Sequence, residues 1–206
     1  MCFSVPVVNL IFTGEAIIMK SKPLLICYGD SNTFGYDPRS WLGDRYDPED
    51  RWVDILGKNT GWDVRNQGMN GRRIPGREVV FSNSAHKILL MLGSNDLLQG
   101  DTAAQAAQRM EAFLLSMGSC RKKLILLCPP PFKRGEWVTE MQIHQSREYC
   151  AELEKLADKL HIPCINTALW DIPLCFDGVH FTAEGHRLFS AKLVEEFVKL
   201  TDATDS

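Results

Sequence analysis

Leu24-Leu25-Ile26-Cys27-Tyr28-Gly29-Asp30-Ser31-Asn32-Thr33-Phe34-Gly35 is the stretch from which this chain is read. An apolar run stops at a small polar turn, the pattern of a buried strand that ends at a sheet rim and leaves a serine there. On local pattern alone that serine is more often a helix cap or turn residue than a nucleophile. A catalytic reading needs the rest of the chain to supply a base, a group that orients the base, and donors for an oxyanion.

Working outward, the same arrangement repeats. Asn32 to Asp50 is rich in Gly, Asp, Pro and Arg and is expected to be a long functional loop, with Phe34, Tyr36, Trp41 and Tyr46 as pocket walls or sheet-edge cover. The spacing of Trp52, Val53 and Leu56 predicts a helix over 50–59, followed by a short strand over 62–65. A polar loop, Asn66 to Arg73, comes next. A short irregular or helical piece leads to the apolar run His86 to Leu92, which stops at Gly93-Ser94-Asn95-Asp96.

A helix is expected over 102–117, capped by Asp101 or Thr102, with Ala103, Ala106, Met110, Phe113 and Met117 inward. Lys123 to Cys128 reads as a strand stopped by Pro129-Pro130-Pro131, and Phe132 and Trp137 in the next loop are further candidate pocket walls. A long helix follows over 139–160, with one face traced by Ile143, Ser146, Cys150, Leu153, Ala157 and Leu160. Cys164 to Asn166 is the last short strand. Thr182 and Glu184 then open a final helix with Phe189, Leu193, Phe197 and Leu200 on one face, and Thr201 to Ser206 is a polar tail. Strand, loop and helix alternate throughout, which predicts an α/β fold: a parallel sheet of five strands with helices on both faces and functional loops at the carboxyl ends of the strands.

Composition narrows the function classes. The 206 residues are 45% hydrophobic and 24% charged, enough apolar material for one globular domain with a substantial core. A formal charge of -3 without a basic cluster argues against a nucleic-acid partner and for a small molecule. The seven cysteines are odd in number and lack C-x-x-C spacing, which points to reduced thiols and a cytoplasmic setting rather than a disulfide framework. Residues 1–18 are apolar but lack a basic n-region, are interrupted by Glu15 and are too short to span a bilayer. Met19 is expected to be the natural start, with residues 1–20 an extension outside a single domain over 21–206.

Brought to one rim, Ser31, Gly68, Asn95, Asp177 and His180 make a complete set for acyl transfer. A serine hydroxyl needs an adjacent base, and an imidazole, with an ordinary pKa of ~6.5, is suited to take its proton. Asp177, three residues earlier, is placed to fix the tautomer of His180. The backbone N–H groups of Ser31 and Gly68 and the side-chain amide of Asn95 are suitable oxyanion donors, each typically worth ~3 to 4 kcal/mol in the transition state. His86, His144, His161 and His186 show no two-per-face spacing with a carboxylate, and no metal or cofactor is proposed. Cys27 reads as a buried thiol, and Asp30 as a carboxylate that holds the turn.

The order Gly29-Asp30-Ser31, Gly68, Gly93-Ser94-Asn95-Asp96, Asp177-Gly178-Val179-His180 resembles the four blocks of the SGNH, or GDSL-type, hydrolases, over roughly residues 24 to 200. The resemblance implies a flavodoxin-like three-layer α/β/α sandwich. It also implies ester hydrolysis through Ser31, with Gly68 and Asn95 as oxyanion donors and His180 and Asp177 completing the triad. Gly35-Tyr36-Asp37-Pro38, Arg51-Trp52, Gly68 followed by Arg72, Pro129-Pro130-Pro131 and His180-Phe181-Thr182 are similar to bacterial arylesterases with acyltransferase or perhydrolase activity. Two features depart from that pattern. Asn32 stands where the family name spells leucine, with an expected effect on packing behind the serine. The loops over 41–51 and 72–86 are shorter, which bears on the acyl pocket and on a possible homo-oligomer. The expected function is a serine esterase for short-chain carboxylic esters. The alternatives are a carbohydrate acetylesterase, a lysophospholipase or thioesterase of the same fold, and a non-catalytic small-molecule or glycan-binding protein.

Overall fold

The structure, a computed structural model, describes residues 22–40 and 42–202. The N-terminal extension with Met19, the Trp41 pocket wall, Cys2 and the last four residues of the tail lie outside the described residues.

Five strands form one parallel sheet: β1 (Leu24–Gly29), β2 (Asp63–Gly68), β3 (Ala85–Met91), β4 (Leu124–Cys128) and β5 (Cys164–Asn166), in the spatial order β2-β1-β3-β4-β5. β1 is buried along its whole length because strands pair on both its edges and helices cover both its faces. Side chains alternate across the sheet, so the apolar runs feed two cores. Ile26, Ile88, Leu90 and Leu126 face one side, where they meet α4 (Ala103–Ser116) and α5 (Glu140–Leu160) through Met110, Phe113, Leu153 and Ala157. Leu25, Cys27, Leu89, Ile125 and Leu127 face the other, packing on Trp52 and Leu56 of α2 (Trp52–Thr60) and on Phe189, Leu193 and Phe197 of α6 (Ala183–Asp202).

The helix starts follow from local chemistry. Thr102 caps α4 and Thr139 caps α5, each in a reciprocal pair with a glutamine three residues on, Gln105 and Gln142, which satisfies backbone N–H groups that have no intrahelical partner. α5 stops at His161, whose left-handed backbone turns the chain toward β5.

Three expectations are revised. The loop over 32–50 opens with a helical turn, α1 (Ser31–Phe34), whose start is fixed when Asp30 accepts the Asn32 N–H. β2 runs on through Asn66 and Gln67 to Gly68, because its pairing with β1 continues to Gly29 opposite Gly68. As an edge strand with alternating exposure it tolerates polar side chains that read as loop. The turn at Gly93 leads directly into another short helix, α3 (Ser94–Leu98). The segment between β2 and β3 contains no helix.

The chain passes from β1 to β2 on one side and then to β3 on the other. The crevice at the carboxyl ends of β1 and β3 is therefore the topological switch point, where a doubly wound sheet leaves room for a ligand. α1 and α3 both start there.

Candidate active site

Ser31 is the first residue of α1, and its backbone N–H belongs to the first turn, where no intrahelical carbonyl is available. Its hydroxyl oxygen lies 2.9 Å from Nε2 of His180. On the far side of the ring, Nδ1 lies 2.7 Å from Oδ2 of Asp177. The second carboxylate oxygen accepts the N–H groups of Val179 (2.8 Å) and His180 (2.9 Å), which fixes the carboxylate plane against the imidazole. Burial pushes the Asp177 carboxyl up, but the hydrogen bonds from the His180 ring and from these two backbone groups outweigh it and hold the carboxyl below its usual range. An ionised Asp177 accepts the Nδ1 proton and leaves Nε2 with a free lone pair facing the Ser31 hydroxyl.

Tight turns bring these groups together. Gly35 ends α1 with a left-handed φ of 90°, a conformation side chains resist, and its N–H and that of Tyr36 both return to the Ser31 carbonyl. The turn sends Tyr36 back over the imidazole, ring to ring at 4.9 Å, while Trp137 stands edge-on to the same imidazole at 5.6 Å and is half exposed. Of the other expected pocket walls, Tyr46 is buried against His186, and Phe132, largely buried in the core, borders a separate depression with Pro130, Pro131 and Leu169.

Gly68 ends β2 against α1, and a Cβ there would collide with the backbone of Thr33 and Phe34. Its N–H, an expected oxyanion donor, is donated to Oδ1 of Asn66 at 2.8 Å, and the same amide donates from Nδ2 to the Thr33 carbonyl at 2.8 Å. Asn66 thus braces α1 against β2 and occupies the Gly68 donor. Asn95, the second residue of α3, uses one amide hydrogen on the Arg72 carbonyl at 3.0 Å and keeps another. Arg72 is itself held, its guanidinium 4.0 Å over the Tyr28 ring and bonded to the carbonyls of Gly29 and Gln67. Asp96, fully buried, accepts the Ile74 N–H (3.0 Å) and Arg73 Nε (3.2 Å), tying α3 to the loop that carries Arg72.

Asn32, Asn66 and Arg72 have structural roles here that their sequence context does not reveal. Asn32 departs from the leucine of the family name, yet its side-chain partners, the Val179 carbonyl and the Phe181 N–H, lie 147 and 149 positions away and leave no local trace. Cys27 lies wholly buried in β1, and burial pushes its thiol far up, in keeping with an inert packing role. Among the described residues, no three His, Cys, Asp or Glu side chains cluster as metal ligands, and no helix is long and apolar enough to cross a membrane.

No curated protein matches the chain by sequence. Solved structures match its fold. An aryl esterase of M. smegmatis superposes with a TM-score of 0.73 at 20% identity, over 86% of this chain and 99% of its own. A carbohydrate acetylesterase family member from Sinorhizobium meliloti gives 0.71 at 24%, over 85% and 97%. A member of the lipolytic protein G-D-S-L family from Veillonella parvula DSM 2008 gives 0.66 at 24%, over 85% and 98%. At such identities the likeness speaks for the fold alone. The family model for GDSL-like lipases and acylhydrolases matches residues 27–188, a span that starts inside β1 and takes in every rim residue just described. The chain therefore belongs to the GDSL-like lipase/acylhydrolase family, the carboxylic ester hydrolases that the order of its four polar turns suggested.

Proposed function

We propose that this protein is a serine esterase that hydrolyses short-chain carboxylic esters through an acyl intermediate on Ser31. The observation that carries the reading is the continuous relay from the Ser31 hydroxyl to His180 Nε2 at 2.9 Å and from Nδ1 to Asp177 at 2.7 Å. As the Ser31 oxygen bonds to the ester carbonyl carbon, its proton passes to Nε2, and Asp177 stabilises the imidazolium. The oxyanion is met by the Ser31 N–H and by the second amide hydrogen of Asn95. The Gly68 N–H joins them only when Asn66 releases it. The imidazolium then protonates the departing alkoxide, leaving an acyl-serine. Water, deprotonated by the same nitrogen, completes hydrolysis, and an alcohol in its place gives acyl transfer.

The half-exposed Trp137 beside His180 favours a leaving group with a flat face, either an aryl ring or a sugar. The similar structures named aryl esterase and carbohydrate acetylesterase support the same two classes. The six described cysteines are free thiols, which supports a reducing, cytoplasmic setting.

The test compares wild type and Ser31→Ala in p-nitrophenyl acetate hydrolysis and in covalent labelling by a fluorophosphonate. Loss of both in the variant is expected, and equal activity in the two proteins defeats the reading. Aryl acetates set against acetylated sugars then separate the two leaving-group classes.

A further inference from the structure

We infer that Asn32 is a positioning residue for His180, one that joins the nucleophile helix to the histidine loop through both peptide groups flanking the imidazole. Its side chain is buried next to Ser31. Nδ2 donates to the Val179 carbonyl at 3.1 Å, and Oδ1 accepts the Phe181 N–H at 2.9 Å. A carbonyl only accepts and an N–H only donates, so the amide orientation is determined by its partners. The backbone of Asn32 is anchored in turn, because the buried indole of Trp52 donates to its carbonyl at 2.8 Å. A rotation of the 179–181 segment that moved Nε2 away from the Ser31 oxygen would stretch one or both amide bonds. Leucine, the residue the family name spells here, has neither donor nor acceptor and would leave both backbone groups unpartnered in a buried place. This chain therefore aligns its base with a hydrogen-bonded clamp where leucine would offer packing alone.

The inference rests on the proposed roles of Ser31, His180 and Asp177, and the experiment keeps the two apart. Asn32→Leu, Asn32→Asp and Ser31→Ala are compared in p-nitrophenyl acetate turnover across pH. The low-field proton resonance of His180 Nδ1–H is followed by NMR. Asn32→Leu is expected to lower kcat roughly 10- to 100-fold with KM little changed, as a displaced catalytic group does, and to broaden or abolish the resonance. Asn32→Asp is of equal size. Protonated, it donates to Val179 and accepts from Phe181, restoring both bonds. Ionised, it sets a charge against the Val179 carbonyl. An alkaline fall in rate absent from wild type is its expected signature, and this decides the matter if Asn32→Leu does not fold. A kcat within about twofold of wild type for both variants, with the resonance and pH profile retained, overturns the clamp while an inactive Ser31→Ala leaves the triad standing. An active Ser31→Ala overturns the triad itself.

Discussion

At the scale of single residues, the charge of Asp177 is set by the groups that hydrogen-bond to it. Its carboxyl is held below the ordinary value of 3.8, so its charge is present above the usual carboxylate range and is lost only as pH falls through a still lower value. A decline in activity between neutral and mildly acid pH would thus come from a group other than this carboxylate. In the proposed reaction Asn95 would serve at the other end, as an oxyanion donor. With one amide hydrogen on the Arg72 carbonyl, it presents the other in a fixed direction. Asn95→Ala is expected to lower kcat by about 10² to 10³ with KM nearly constant, because the contact matters mainly when the carbonyl oxygen gains charge. Steady-state kinetics on one aryl acetate check this, and a rise in KM at unchanged kcat would instead make Asn95 a ground-state binding residue.

At the scale of elements, the important joint lies between β2 and α1. Gly68 lets the strand end pass against the Phe34 backbone, and Asn66 ties the two with one bond to the Thr33 carbonyl and one from the Gly68 N–H. A methyl group at 68 has no flexible side chain to displace, only main chain. Gly68→Ala should destabilise the protein by about 1 to 3 kcal/mol, the usual cost of overpacking, and should slow turnover by shifting the helix that carries Ser31. Urea unfolding together with kcat measures both, and a variant of wild-type stability and rate would mean that the joint is looser than its geometry implies. The elements away from this joint were legible in the sequence for a plain reason. Apolar spacing reports which face of a helix or strand is covered, and Ala106, Met110 and Phe113, or Phe189, Leu193 and Phe197, are spaced at a helical period. β2 extends beyond its apolar signal and α1 carries none, because an edge strand and a single capped turn are held by backbone pairing and one carboxylate, neither of which leaves a hydrophobic pattern.

At the scale of the whole molecule, His186 couples stability to pH. It is fully buried near the start of α6, with the rings of Tyr46 and Phe181 against it at 5.3 and 5.1 Å. Burial first, then the nearby charges of His180 and Arg51, push its pKa down to about 3 from 6.5. The folded protein keeps this ring neutral while the unfolded chain takes up a proton below 6.5. Its contribution to stability is therefore complete above that value and declines as pH falls toward 3. Near pH 5 the loss is about 2 kcal/mol. Asp30 and Asp96, whose carboxyls burial pushes up, act in the opposite sense, so the comparison must isolate the histidine. Unfolding of wild type and His186→Gln near pH 7 and pH 5 does so. The wild type should lose about 2 kcal/mol more than the variant on acidification, and identical losses would place the proton elsewhere.

The sequence by itself determined the alternation of strands and helices and their inward faces. It also singled out Ser31, Asn95, Asp177 and His180, because each stands in a polar turn near the end of an apolar run or in a compact Asp-x-x-His loop. Only the tertiary structure decided the strand order that opens the crevice beside β1, the loss of the Gly68 N–H to Asn66, and the clamp of Asn32 on the residues either side of His180. The division has a physical origin. Burial imposes a local period on the chain, whereas a hydrogen bond between residues about 150 positions apart depends on register and packing that no local pattern encodes.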